Sequence, residues 1–196
     1  MKRIILFLNC FFLFAQKETP SEKKISEYIN ISQNVDDIKK IECFKKEFPN
    51  LFKYYPDINP INPSNNPGIS SGFSSKRLHP IEGKIKVHYG IDIVAKKNTP
   101  VYAAASGVAI KSKFFNGKAG NSVEIKHKYG FRTKYFHLSI FIVKTGDIVR
   151  KGQIIGFLGT TGASSCPHLH YEILKNGIQI NPIKFLTSNK TLQKSK

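Results

Sequence analysis

From residue 107 to residue 177 the chain is punctuated by glycine, at 107, 117, 120, 130, 146, 152, 156, 159, 162 and 177, and no helix of normal length fits between these breaks. The intervals hold short runs of β-formers instead: Val101–Ala103, Val108–Lys111, Ser122–Lys128, Phe131–Leu138, Ile154–Leu158 and Leu169–Leu174. Short runs of this composition between glycines read as strands joined by turns. The spacing predicts an all-β, mostly antiparallel β-sheet domain of about 120 residues over 67–186.

The text before that domain is different. Thr19-Pro20-Ser21-Glu22 offers a capping residue, a proline at the first helical position and a glutamate at the third. Val35, Ile38, Ile41, Phe44 and Phe48 then recur at helical spacing. Prolines 49, 56, 60, 63 and 67, interleaved with asparagines, make a stiff and irregular stretch. Residues 16–66 therefore read as a short helical N-terminal segment and a Pro/Asn-rich linker, and 187–196 as a basic tail. The linker asparagines Asn59, Asn62, Asn65 and Asn66 could reach over a nearby cleft. The plainer expectation is that 16–66 spaces the domain or packs on its back.

Residues 1–15 read as a signal peptide. Lys2 and Arg3 give a basic start and Ile4–Ala15 an apolar run, shorter than the roughly 20 residues of a membrane span. An uncleaved N-terminal membrane anchor is the alternative. The localisation expected from this is the cell envelope, periplasmic or extracellular. Export leaves Cys43 and Cys166, which could form one disulfide but no framework.

The formal net charge is +18, from 31 basic and 13 acidic residues. A basic surface attracts polyanions, and anionic envelope polymers are the partners that fit an exported chain. No compact Lys/Arg block with interleaved aromatics occurs, so no nucleic acid is expected as a partner.

The chemistry lies in the histidines. H-Y-G-I-D occupies 88–92 and H-L-H occupies 168–170. On a flat strand His88 and Asp92 would stand about 13 Å apart. Two ligands of one zinc each lie about 2 Å from the metal, so these two can share an ion only if the chain bends between them. Gly90 permits such a bend. His168 and His170 face the same side of a strand, about 7 Å apart. Both could bind one metal, or one could bind it while the other reaches a water on it. His137, in Y-F-H-L, means little alone, and His79 and His127 read as structural or solvated.

Residues 69–186 resemble the lysostaphin-like zinc metalloendopeptidases, the LytM-type domain of peptidoglycan hydrolases. The resemblance runs nearly colinearly through I-S-S-G-F at 69–73, R-L-H-P-I-E-G at 77–83 and H-Y-G-I-D-I at 88–93. It continues through T-P-V-Y-A-A-A-S-G-V at 99–108, G-N-S-V-E-I-K-H at 120–127, Y-F-H-L-S at 135–139 and V-K-T-G-D-I-V-R-K-G-Q-I-I-G at 143–156. It closes with G-T-T-G at 159–162, P-H-L-H-Y-E at 167–172 and N-P at 181–182. This resemblance implies His88, Asp92 and His170 as ligands of Zn2+, with His137 and His168 as catalytic residues that do not touch the metal. Three protein ligands and an open fourth position suit a hydrolytic zinc. The implied activity is hydrolysis of peptide cross-links of bacterial peptidoglycan, with stem peptides as substrate and the chain acting as a monomer. Ser74 and Ser75 follow Gly72-Phe73 where the family has a glycine and an aromatic, and Cys166 stands where it has a glycine. Glu172, on the same strand face as His170, is either a partner behind that ligand or an ordinary surface carboxylate.

Two rival readings differ in class. A catalytically silent member of the same fold would regulate cell-wall amidases, but all five key residues are present. A lipoyl-type carrier domain would need a lysine flanked by methionines, and the only methionine is Met1.

Overall fold

The computed structural model describes residues 18–32, 36, 37, 40, 42–78, 83–114 and 117–186. The signal peptide expected at 1–15, the tail at 187–196, His79 and most of the Val35–Ile41 stripe lie outside them. Helix α1 spans Pro20–Ile31 and the single turn α2 spans Pro49–Phe52. The strands are β1 (Gly68–Ser71), β2 (Ser74–Leu78), β3 (Ile85–His88), β4 (Ile91–Val94), β5 (Pro100–Tyr102) and β6 (Gly107–Lys113). They continue as β7 (Asn121–Lys126), β8 (Phe131–Phe141), β9 (Ile148–Val149), β10 (Ile154–Leu158), β11 (His168–Lys175) and β12 (Ile178–Ile180).

The fold is the expected one, almost wholly antiparallel sheet behind a short N-terminal helix. A 10-stranded sheet runs in the order β1-β4-β11-β8-β7-β6-β9, with β10 pairing β5 and β8, and β12 pairing β11. β2 and β3 form a separate ribbon. Alternation along β11 sorts its side chains by face. Leu169, Tyr171 and Ile173 are buried with Ile91 and Ile93 of β4, Val123 and Ile125 of β7 and Tyr135 of β8. His168, His170 and Glu172 stand on the other face.

Helix α1 starts as the sequence predicts. The backbone N–H of Glu22 donates to Thr19 Oγ1 at 3.2 Å, and that of Thr19 donates to Glu22 Oε2 at 2.8 Å. The helix stops at Ile31, short of the run expected to Phe48. The Ser32 hydroxyl donates to the Tyr28 carbonyl at 2.8 Å, drawing the chain out of helical geometry. The last-turn carbonyls of Ile29 and Asn30 turn instead to the Lys175 ammonium, at 2.8 and 3.1 Å. Tyr129 supplies a third carbonyl, and Nζ lies 4.8 Å from the Phe131 ring. Lys175 is 1% exposed and its charge is met by these carbonyls and the ring.

The stretch between α1 and β1 contributes to the same core. Leu51, Phe52, Tyr55 and Ile61 are buried in it. The Tyr55 ring lies 5.7 Å from Phe131 and 5.3 Å from Phe185. Buried aromatics of this size cost roughly 3–5 kcal/mol when cut to alanine. Asp57 is buried between the ammonium groups of Lys45 and Lys151. The asparagine oxygens are used locally: Asn59 Oδ1 accepts from the Ile61 N–H at 3.0 Å and Asn62 Oδ1 from the Ser64 N–H at 2.9 Å. Cys43 and Cys166 are both free and exposed.

Candidate metal centre

His88 closes β3 and Asp92 lies in β4, so the two residues belong to different sheets and the chain turns between them. Gly90 is required there for a reason other than a left-handed turn. A Cβ at this position would stand 2.3 Å from the Tyr171 carbonyl oxygen, so only glycine lets this crossing pass against β11. Across the sheet, His170 of β11 is paired with Asp92 of β4 on one side and Phe136 of β8 on the other.

One atom from each residue converges. His88 Nε2 lies 3.1 Å from Asp92 Oδ1 and 3.0 Å from His170 Nδ1, and the remaining side, His170 Nδ1 to Asp92 Oδ1, is 2.8 Å. A tetrahedral zinc with bonds of 2.0–2.1 Å would give edges of about 3.3 Å. The His88 Nδ1–H donates to the Gly72 carbonyl at 2.7 Å, which leaves a lone pair on Nε2 facing a carboxylate oxygen. His170 meets a carboxylate at each nitrogen, since its Nε2 lies 3.3 Å from Glu172 Oε1. Burial alone would lower the His170 pKa, but Asp92 and Glu172 outweigh it and raise it. Burial likewise pushes the Asp92 carboxyl up, and in the absence of a metal hydrogen bonds from whichever of His170 and His88 carries a proton toward Oδ1 more than reverse it, holding Asp92 well below the usual range. A metal ion can take the place of the protons shared within this triangle, and two imidazoles with one carboxylate are a donor set that fits zinc.

His137 and His168 stand beside that triangle. The ring centroids of His137 and His168 are 4.6 Å apart, and His168 Nε2 is 3.9 Å from Asp92 Oδ1. His137 has φ 61°, a left-handed conformation costly for a residue with a Cβ. It lies where β8 carries an extra residue against β7, between the pairs Asn121–Leu138 and Val123–Tyr135. Such a bulge re-aims a side chain. The His137 Nδ1–H donates to the Thr161 carbonyl at 2.8 Å, and the His168 Nδ1–H to the Cys166 carbonyl at 2.9 Å. A carbonyl only accepts, so each ring keeps its proton on Nδ1 and turns Nε2 inward. Burial lowers the His137 pKa to about 4, which makes it neutral at pH 7.

All five residues named from the sequence thus gather at one place. His127 is elsewhere, buried in a chain of hydrogen bonds to the Ser106 carbonyl at 2.8 Å and Thr133 Oγ1 at 2.8 Å. Lys134 was not foreseen. Its Nζ is 3.1 Å from Glu172 Oε2, and strand alternation puts it on the face of Phe136, but pairing with Glu172 depends on register.

The sequence profile of peptidase family M23 matches residues 86–182. The chain belongs to that family. It is 52% identical over 114 residues to the peptidoglycan DD-endopeptidase ShyC of Vibrio cholerae, a match covering 58% of this chain and 26% of that protein. Among solved structures, the catalytic domain of lysostaphin from Staphylococcus simulans superposes with TM-score 0.56 at 36% identity, covering 63% of this chain and 95% of that one. A zinc-containing peptidase from Vibrio cholerae superposes with TM-score 0.58 at 34% identity, over 63% of this chain and 38% of the other. The chain therefore spans about a quarter of the length of the curated relative, 26%.

Proposed function

We propose that this chain is a zinc-dependent endopeptidase that hydrolyses peptide cross-links of bacterial peptidoglycan. The observation that carries the reading is the triangle of His88 Nε2, Asp92 Oδ1 and His170 Nδ1, three potential metal-ligand atoms with sides of 2.8 to 3.1 Å. A zinc held by these three residues would act as a Lewis acid on the scissile carbonyl and lower the pKa of a bound water to about 7.

The chain's own groups supply the proton chemistry. His137 is neutral at pH 7 and its Nδ1–H is committed to Thr161, so its Nε2 is fitted to take a proton from the attacking water. His168, held by the Cys166 carbonyl, is fitted to stabilise negative charge on the scissile oxygen when protonated. Both rings are fixed before substrate arrives, so little reorganisation remains at the moment of reaction.

The substrate class is supported by the 52% identity to a peptidoglycan DD-endopeptidase and by the likeness to lysostaphin. A net charge of +18 favours residence in an anionic wall polymer. Such a substrate requires export, for which the basic and apolar start at 1–15 is suited, whether cleaved or kept as an anchor. No helix among the described residues is long and apolar enough to cross a membrane.

The test is digestion of purified sacculi by the zinc-loaded protein, with mass analysis of the released fragments. Cross-linked stem-peptide dimers should fall and monomers rise. No change in fragments, from protein shown to contain about one zinc per chain, would refute the activity.

A further inference from the structure

The outer face of the sheet carries charge in register next to the metal triangle. On β11, His170 and Glu172 are two apart, and their cross-strand partners on β8 are Phe136 and Lys134. Glu172 is buried and uses its two oxygens differently. Oε1 lies 3.3 Å from His170 Nε2, and Oε2 lies 3.1 Å from Lys134 Nζ. The Lys134 side chain is itself mostly covered, 23% exposed.

A ligand imidazole poses a problem of choice. Its two neutral tautomers are close in energy, and the metal needs the lone pair on one particular nitrogen. At His170 that nitrogen is Nδ1. With Nδ1 given to a metal beside Asp92, the proton stands on Nε2, and the Glu172 Oε1 at 3.3 Å is placed to accept it. Glu172 alone could rotate its carboxylate away, and it would add a second negative charge close to Asp92. Lys134 acts on both counts, holding Oε2 and offsetting the charge at short range. The backbone leaves no slack on the far side: a Cβ at Gly90 would stand 3.1 Å from Glu172 Cγ.

We infer that Glu172 and Lys134 are positioning residues for the metal: Glu172 accepts the Nε2–H and holds the ring plane of His170, and Lys134 holds Glu172. This rests on His170 being a zinc ligand. Residues behind a ligand commonly change metal affinity by about 10–100-fold.

Two readouts test it. One is zinc affinity, by competition with a chromogenic chelator. The other is the His170 Nε2–H of the zinc-loaded protein, by nitrogen-15 and proton NMR, whose solvent exchange reports the hydrogen bond to Glu172. Wild type should show a slowly exchanging Nε2–H. Glu172→Ala should bind zinc about 10–100-fold more weakly and exchange that proton faster. Lys134→Met should shift both readouts the same way by less, and Lys134→Arg should restore them. Glu172→Ala leaves a buried ammonium and could fail to fold, so the double variant Lys134→Met with Glu172→Met carries the decision. Replacing a buried ion pair by apolar residues is often neutral or stabilising. The double variant should therefore melt no lower than wild type and yet bind zinc more weakly. Wild-type zinc affinity and a wild-type Nε2–H signal in that variant would overturn the inference while leaving the proposed function standing. A wild type that binds no zinc would overturn both.

Discussion

Strands β8 and β11 lie side by side, and their two ends solve opposite problems. At one end the carbonyls of Ile29, Asn30 and Tyr129 converge on the ammonium of Lys175. At the other, His88 Nε2, Asp92 Oδ1 and His170 Nδ1 converge on one another. Both are buried clusters of acceptors, and such clusters are costly unless a positive charge satisfies them. The lysine end carries its own cation, and so it serves only the fold. The histidine end is a triangle of metal-binding donors whose edges of 2.8 to 3.1 Å suit a zinc. A polar cluster closed by one of the chain's own lysines serves the fold, whereas one built of two imidazoles and a carboxylate is suited to an ion from outside.

The sharpest break of that comparison is at the ligands. His88→Ala, Asp92→Ala and His170→Ala should each abolish zinc binding and sacculus hydrolysis together. Elemental analysis showing a full zinc complement in any of them would remove that residue from the ligand set. His137→Ala and His168→Ala come next. They should keep about one zinc per chain and lose roughly 10²–10⁴ in turnover, the usual range for a proton-transfer group. A His168→Ala protein without zinc would mean that both histidines of H-L-H are ligands.

At the lysine end the expected effect is on stability. Lys175→Met removes the cation and leaves two buried carbonyls and one part-buried carbonyl unmet, a loss of about 3 kcal/mol in unfolding free energy. The zinc content of the folded fraction should not change, and a coupled loss of zinc would show that the two ends are not independent. Removing residues 18–66 takes away two of the three carbonyls and the Tyr55 ring. The short form should therefore melt lower and hydrolyse sacculi no faster; faster hydrolysis would point to a segment that covers the site.

The smallest effect concerns pH. Burial lowers the His127 pKa to about 4 from an ordinary value of 6.5. Between these values the unfolded chain binds the extra proton, so this residue's contribution is intact above about pH 6.5 and is lost as pH falls toward 4. From pH 7 to pH 5 the loss amounts to about 2 kcal/mol. Urea unfolding of zinc-free wild type and His127→Gln at both pH values checks it, since the variant should lack that increment of pH dependence.

Much of this was legible in the residue order. Glycine spacing revealed the all-β class, and the two histidine motifs supplied His88, Asp92, His168 and His170, while His137 was named only through the family resemblance. The turn between His88 and Asp92 was legible at Gly90, but a second reason for a glycine there was not: a Cβ would stand 2.3 Å from the Tyr171 carbonyl oxygen. Three further features were hidden for one reason. The Lys134–Glu172 pair, the grip of Lys175 on α1 and the acceptors of Thr161 and Cys166 all depend on cross-strand register or on backbone carbonyls. Neither leaves a side-chain signature in the text. The burial of Tyr55 was masked by the prolines around it, which read as irregular chain and say nothing of what that chain packs against.

The Thr161 and Cys166 carbonyls that hold His137 and His168 belong to one loop, between β10 and β11. The mount is itself tied to the sheet: Thr161 Oγ1 accepts from the Asn121 N–H at 2.9 Å and donates to the Leu138 carbonyl at 2.8 Å, and the Ser164 hydroxyl donates to the Cys166 carbonyl at 2.8 Å. Two imidazoles on different strands thus share a single mount, so a residue gained or lost in that loop would disturb both rings at once.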